Sequence, residues 1–223
     1  MSVKLFLDAM AKFCLGVVLV GVLVFLPAGT FAFLPCWIFM AVLFLPMFCA
    51  GIVMMVKSPA LLARRLRAKE KEAEQRSVVA LSGLMFLGGF VTAGLNFRFG
   101  WVKLPLWVSF AAAGVFLFAY VLYAEVLREN AYLSRTIEVA EGQTVVDTGL
   151  YGIVRHPMYA VTLLLFLAIP WILGSPLSFL LFLLYPFLIV KRIKNEEKVL
   201  MDELPGYREY TERVKYRLIP FLW

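Results

Sequence analysis

Between Lys12 and Lys57 the chain runs for 44 residues without one charged side chain. A hydrocarbon core about 30 Å thick takes roughly 20 apolar helical residues to cross. The interval therefore predicts two membrane spans, turned at Pro27-Ala28-Gly29-Thr30. Charge-free stretches at residues 78–97 and 104–124 predict a third and a fourth. A further uncharged stretch, residues 157–190, is too long for one span and too short for two with a loop. It predicts a hairpin broken at Gly174-Ser175-Pro176, since glycine and proline end helices. The second arm, residues 177–190, must tilt, thin the bilayer or continue as a polar helix, and the polar residues after it favour continuation. With 62% apolar residues, 17% charged residues and a mean hydropathy of +0.86, an ordinary soluble domain is excluded. The fold class expected is an all-α integral membrane protein, four spans plus a C-terminal helical hairpin.

The net charge of +7 is informative through its placement. If the chain weaves back and forth, twenty of the 22 basic residues fall on one side, and only Arg98 and Lys103 on the other. The positive-inside rule then puts both termini in the cytoplasm. The basic residues flank spans and lack aromatic interleaving, which argues for membrane lipids as partners and against nucleic acid. Cys14, Cys36 and Cys49 lie inside expected spans with no spacing that suits a metal, and are expected as core residues. The first apolar run continues through a second span, so it is expected as a span and not a cleaved leader.

Two regions follow from the change in character near Glu125. Residues 1–124 form the four-span bundle with a cytoplasmic loop at 57–77, whose alternation of Arg, Lys and Glu with Ala and Leu predicts a helix at headgroup level. Residues 125–223 form a polar region that contains the 157–190 hairpin and a cytoplasmic tail. From Glu125 to Arg155 the chain carries Asn130, Ser134, Arg135, Thr136 and Glu138, β-branched residues and a Glu141-Gly142 turn, which predicts a loop or short extended segment. Neither a phosphate loop nor the Gly-x-Gly-x-x-Gly fingerprint is present, so a soluble-type nucleotide domain is excluded.

The chemistry concentrates around His156, the single histidine of the chain. Pro157 opens the hairpin helix, where its missing N–H is harmless, and the free N–H groups and dipole of that helix end suit a carboxylate. Arg155, His156 and Tyr159 lie within a turn of this end. The second hairpin arm returns to the same face at Lys191-Arg192-Ile193-Lys194-Asn195-Glu196-Glu197. Arg192 and Glu196, four apart, share a helix face. A carboxylate there attracts a sulfonium or ammonium, and an arginine holds an anionic acceptor by paired hydrogen bonds. The tail from Leu204-Pro205-Gly206-Tyr207 through Tyr210 and Arg213 to Pro220 is aromatic and basic, suited to closing over a ligand. Taken singly, each feature has a structural alternative: a helix-end histidine at 156, a solvated charged helix at 191–198, an interfacial belt for Tyr207, Tyr210, Tyr216 and Trp223.

Together, Gly149-Leu150-Tyr151, Arg155-His156-Pro157-x-Tyr159, Glu196-Glu197-x-x-Leu200, Gly206, Tyr210 and Arg217 resemble the isoprenylcysteine carboxyl methyltransferase family, relatives of the phospholipid N-methyltransferases. The resemblance covers about the last 90 residues. It implies an integral membrane methyltransferase that uses S-adenosylmethionine as cofactor. It places cofactor contacts at Gln143, Thr144, Val145, Val146, Tyr151, His156, Pro157, Met158, Tyr159 and Glu196, with Arg155 beside them, and acceptor contacts at Arg192, with Arg217 from the tail.

Methyl transfer from a sulfonium is a direct displacement that needs alignment and exclusion of water. With a carboxylate acceptor no base is required and Arg192 orients it; with an amine, Glu196 or Glu197 would take the proton. The expected reaction is O-methylation of an isoprenylcysteine-like or other lipophilic carboxylate, with phospholipid N-methylation as the alternative. Sterol-type reductases that bind NADPH also carry a terminal Arg-His-Pro-x-Tyr. They are expected to continue with an acidic residue, where this chain has Ala160-Val161-Thr162, and to lack the double-glutamate helix. A transporter is disfavoured because the four spans hold no internal ionisable residue.

Overall fold

The computed structural model describes residues 3–66, 73–133, 137 and 139–223; Arg67, Lys69, Lys71, Ser134, Arg135, Thr136 and Glu138 lie outside the described residues. Among the described residues the regular structure is helical. Helices α1 (Val3–Ala28) and α2 (Leu34–Lys57) form the two spans of the long uncharged interval, and the chain turns between them at Gly29. After the short helix α3 (Pro59–Leu66) come α4 (Ala73–Phe99) and α5 (Leu106–Glu129). The hairpin follows as α6 (Pro157–Ile172), α7 (Pro176–Phe182) and α8 (Leu184–Glu203), and α9 (Tyr207–Arg213) begins the tail. Among the described residues five helical stretches are long and apolar enough to cross a membrane, with α7 and α8 counted as one; α6 is apolar but shorter. The protein is an integral membrane protein.

Helical boundaries follow local chemistry. Leu61 and Leu62 of α3 are buried, whereas Arg64 donates to the Ala131 carbonyl at 3.0 Å and Arg65 donates to the Tyr123 hydroxyl. Within the stretch 57–77, α3 covers Pro59–Leu66 and α4 begins at Ala73, ahead of its uncharged stretch; residues 67–72 lie outside the described residues. At the hairpin tip Ser175 caps α7, its hydroxyl accepting from the Ser178 N–H at 3.3 Å, with Pro176 in the first turn. The apolar arm does not stop at residue 190 but runs on as the polar half of α8 to Glu203.

The tip of the hairpin reaches the level of the α4–α5 turn. There the Asn96 amide donates to the carbonyls of Val102 at 2.9 Å and Gly174 at 3.3 Å, and accepts from the Val102 N–H. Helix α1 packs on α4, α4 on α7, and α5 on α6. Gly94 lets α1 and α4 touch backbone to backbone, because a Cβ there would sit 2.5 Å from the Val24 carbonyl oxygen. Phe39, Phe90, Phe116 and Phe182 fill the core between the helices.

One expectation is corrected. Only Cys36 is a core residue; Cys14 and Cys49 are exposed on span surfaces that no described helix covers. In a bilayer both the core face and the lipid face are apolar, so hydropathy locates a span without saying which way a small apolar residue points.

Candidate active site at the polar end of the bundle

Past α5 the chain crosses the end of the bundle as an irregular loop, tightens into a 3-10 turn at Gly149–Gly152 and enters α6 at Pro157. This loop, the start of α6, the polar half of α8 and α9 enclose a pocket with about 850 Å³ of space between its walls, part of it open to solvent.

Tyr159, on the first turn of α6, is the hinge of its polar wall. Its hydroxyl accepts from Arg192 Nε at 2.8 Å and donates to Glu196 Oε2, so a phenol from one helix bridges the i, i+4 pair of another. The Arg192 guanidinium also lies over the Tyr159 ring, 5.9 Å from its centre, and the His156 ring stacks with it at a centroid distance of 5.7 Å. Val199 and Leu200 continue the pocket face of α8. Met158 lines the wall as well, and its sulfur receives Arg65 Nη1 from α3 at 3.8 Å.

The opposite wall is the loop. A tight turn is closed by the Gln143 N–H on the Ala140 carbonyl at 3.0 Å and by the Ala140 N–H on Gln143 Oε1 at 2.9 Å. It presents Gln143, Thr144, Val145 and Val146 to the pocket. Arg213 of α9 pairs with Asp147 at 2.9 Å and ties the tail to this loop. Gly206 starts α9 in the left-handed region, φ 82°, and turns Tyr207 and Tyr210 inward. Both are buried, so they are pocket walls and not an interfacial belt. The Tyr210 hydroxyl donates to the Tyr151 carbonyl at 2.7 Å, and Asn130 donates to the Tyr151 hydroxyl at 3.1 Å. Burial pushes the Tyr151, Tyr207 and Tyr210 phenols well above their ordinary range, for Tyr207 with the added field of Glu197 and Glu196. All three stay neutral at physiological pH.

Behind the pocket lies an ionic cluster. Glu197 Oε1 accepts from Arg155 Nε at 2.7 Å and lies 3.4 Å from His156 Nε2, and its Oε2 accepts from Arg217 Nε at 2.6 Å. Arg155 Nη1 also donates to the Val214 and Lys215 carbonyls at 2.7 and 2.9 Å, and the Arg155 and His156 N–H groups donate to the Tyr216 and Arg217 carbonyls. The tail is thereby stitched to the start of α6. Arg217 continues outward over the Trp223 ring at 5.3 Å.

Of the residues singled out in the sequence, the pocket gathers Gln143, Thr144, Val145, Val146, Tyr151, Arg155, His156, Met158, Tyr159, Arg192 and Glu196. Pro157 is buried at the first turn of α6 without lining it, and Glu197 and Arg217 belong to the cluster behind. The pocket also uses Leu200 of the motif and Leu204, Tyr207 and Tyr210 of the tail, together with Asn130, Tyr132, Leu133, Ile137 and Val199, which sequence reasoning did not assign to the site. Val199 and Leu200 carried a usable signal, three and four positions after Glu196 on one helix face; the loop residues carried none. Chemically, Glu196 suits a cationic group and Arg192 an anionic one, with neutral phenols and apolar side chains around them. The Tyr207 hydroxyl is buried without a hydrogen-bond partner among the described residues, as expected of a group that meets a ligand.

Fold and pocket define a multi-span helical membrane protein with a pocket at one polar end of its bundle. Residues 99–202 match the model of the isoprenylcysteine carboxyl methyltransferase (ICMT) family. The match begins before the motifs that carried the resemblance and stops short of Gly206, Tyr210 and Arg217. Among curated proteins the chain is similar to Delta(14)-sterol reductase TM7SF2 of Mus musculus, 36% identical over 93 residues. That similarity covers 40% of this chain and only 22% of the reductase.

Proposed function

We propose that the protein binds S-adenosylmethionine at the cytoplasmic face and O-methylates the carboxylate of a lipophilic, isoprenylcysteine-like acceptor. The observation that carries this reading is the side-by-side placement of Arg192 and Glu196 on one pocket wall, bridged by the Tyr159 hydroxyl. When bound, the donor supplies a methyl carbon on a sulfonium sulfur, open to displacement by a carboxylate oxygen without a general base. Glu196 attracts the cationic donor, and Arg192 orients the anionic acceptor. The neutral tyrosines and the apolar side chains of Val199, Leu200 and Leu204 keep water out. The cytoplasmic placement is supported by the charge asymmetry of the sequence, which for a chain weaving back and forth puts twenty basic residues on one side and two on the other. Incubation with labelled donor and prenylated cysteine in bilayers tests the reaction: a base-labile methyl ester supports it. A base-stable N-methyl lipid points instead to the phospholipid N-methyltransferase alternative.

The similarity to a sterol reductase favours a second reading, reduction of a sterol-like lipid with NADPH. Against it, the position after Tyr159 and Ala160 carries no acid: Val161 is buried, and the Thr162 hydroxyl is tied to the Tyr159 carbonyl and to Tyr185, both at 3.0 Å. Calorimetry in detergent separates the two, since NADPH binding without S-adenosylmethionine binding refutes the methyltransferase.

A further inference from the structure

Two tyrosines stand side by side on α9, their rings 5.6 Å apart, and only one is satisfied. The Tyr210 hydroxyl donates to the Tyr151 carbonyl, whereas the Tyr207 hydroxyl has no partner among the described residues although the residue is only 4% exposed. A buried phenol without a partner destabilises the protein that holds it, and phenylalanine would fill the same space without that cost. The position is not loosely held. Gly206 sets the backbone in the left-handed region, the Tyr207 N–H donates to the Leu204 carbonyl at 3.2 Å, and the ring packs with Leu204, Tyr210 and Val214. Tyr207 is therefore fixed as a wall residue of the pocket, with a buried hydroxyl that no group among the described residues satisfies.

The electrostatic setting narrows what that group is. The charges that act most on Tyr207 are Glu197 and Glu196, opposed by Arg155. Glu197 already accepts from Arg155 and Arg217, and lies beside His156. Glu196 is the one acidic side chain among the described residues that line the pocket. A neutral phenol oxygen in this negative region accepts a hydrogen bond from a cationic N–H more readily than it donates to a carboxylate.

We infer that Tyr207 is a direct binding residue for the ammonium-bearing end of the methyl donor, with its hydroxyl oxygen accepting an N–H beside Glu196. The assignment rests on the methyltransferase reading above and adds a contact that the resemblance did not place there.

The test uses the full chain in detergent micelles, wild type and Tyr207→Phe. Each is titrated calorimetrically with S-adenosylhomocysteine, which keeps the amino-acid end, and with 5′-methylthioadenosine, which lacks it. Losing one buried hydrogen bond to a charged group weakens S-adenosylhomocysteine roughly tenfold and leaves 5′-methylthioadenosine unchanged. The ligand-free protein melts at the same temperature or higher, because an unsatisfied polar group has been removed. Equal affinity of the two proteins for S-adenosylhomocysteine overturns the inference, as does equal weakening of both ligands. A lower melting temperature of the ligand-free variant overturns it too, since the hydroxyl would then be holding the fold. If the wild type binds neither ligand, the methyltransferase reading itself fails, and this assignment with it.

Discussion

Replacing Glu197 by alanine removes the centre of the buried ionic cluster and leaves Arg155, 7% exposed, without its counter-charge. Breaking a buried pair by deleting one partner costs about 3–5 kcal/mol, most of it for the stranded charge. Here the lower end applies, because Arg155 keeps its bonds to the Val214 and Lys215 carbonyls and Arg217 turns outward toward solvent, its side chain 34% exposed. For a chain of this size about 1 kcal/mol corresponds to about 2–4 °C, so about 3 kcal/mol lowers the melting temperature by about 6–12 °C. The exposed pair of Arg128 and Glu125 is the control. Its 2.6 Å separation matches that of Arg217 and Glu197, but its side chains are 69% and 39% exposed. Solvent screens such a pair almost completely, and Glu125→Ala should shift the melting point far less than Glu197→Ala does. Thermal unfolding in detergent, followed by tryptophan emission, reads both variants side by side. Limited proteolysis should show the tail after residue 213 cleaved earlier in Glu197→Ala, since that cluster stitches it to α6. Equal melting shifts for the two variants, with the tail equally protected, would refute the burial argument.

Three further outcomes are expected. Glu196→Gln weakens donor binding while Arg192→Ala mainly raises the KM for the acceptor; identical donor and acceptor affinities in both variants would remove these residues from the site. Gly94→Ala forces a methyl group against the Val24 carbonyl and should cost about 1–3 kcal/mol, whereas Gly114→Ala, with nothing within 4 Å, should be neutral or stabilising through helix propensity; thermal melts giving the same sign for both would contradict the packing of α1 on α4. Gly206→Ala places a β-carbon in the left-handed region at a cost of about 1–2 kcal/mol. Asparagine there should be better tolerated, and equal melting points for the two substitutions would count against the backbone argument.

What could be read from the sequence is what has a one-dimensional cause. The uncharged interval between Lys12 and Lys57, the breaks at Gly29 and at Gly174-Ser175-Pro176, and the i, i+4 pairing of Arg192 and Glu196 each depend on hydropathy, turn chemistry or helix periodicity over a few neighbouring residues. The helices α1, α2, α4, α5 and α6 with their hairpin partner fall where that local physics puts them. The grouping of the loop after residue 142, the start of α6 and the middle of α8 into one pocket was legible for a second reason, since the two hairpin arms must return to the same face.

The rest was decided by packing. Glu196 and Glu197 are neighbours of identical chemistry, yet successive helical positions point about 100° apart, so one meets Tyr159 in the pocket and the other Arg155 behind it. Cys36 is buried and Cys14 is not, although both sit in apolar spans, because only the arrangement of neighbouring helices separates a core face from a lipid face. Tyr207 and Tyr210 share a helix of 7 residues, and nothing local tells the satisfied phenol from the unsatisfied one. That distinction arises where the Tyr151 carbonyl, far away in the chain, comes within 2.7 Å of one hydroxyl and leaves the other without a partner among the described residues. Sequence alone determined that this chain enters a membrane and which polar residues gather at one end of it; which of those side chains line the pocket, and which lie behind it and hold the fold, was decided by contacts between segments that hydropathy and periodicity cannot see.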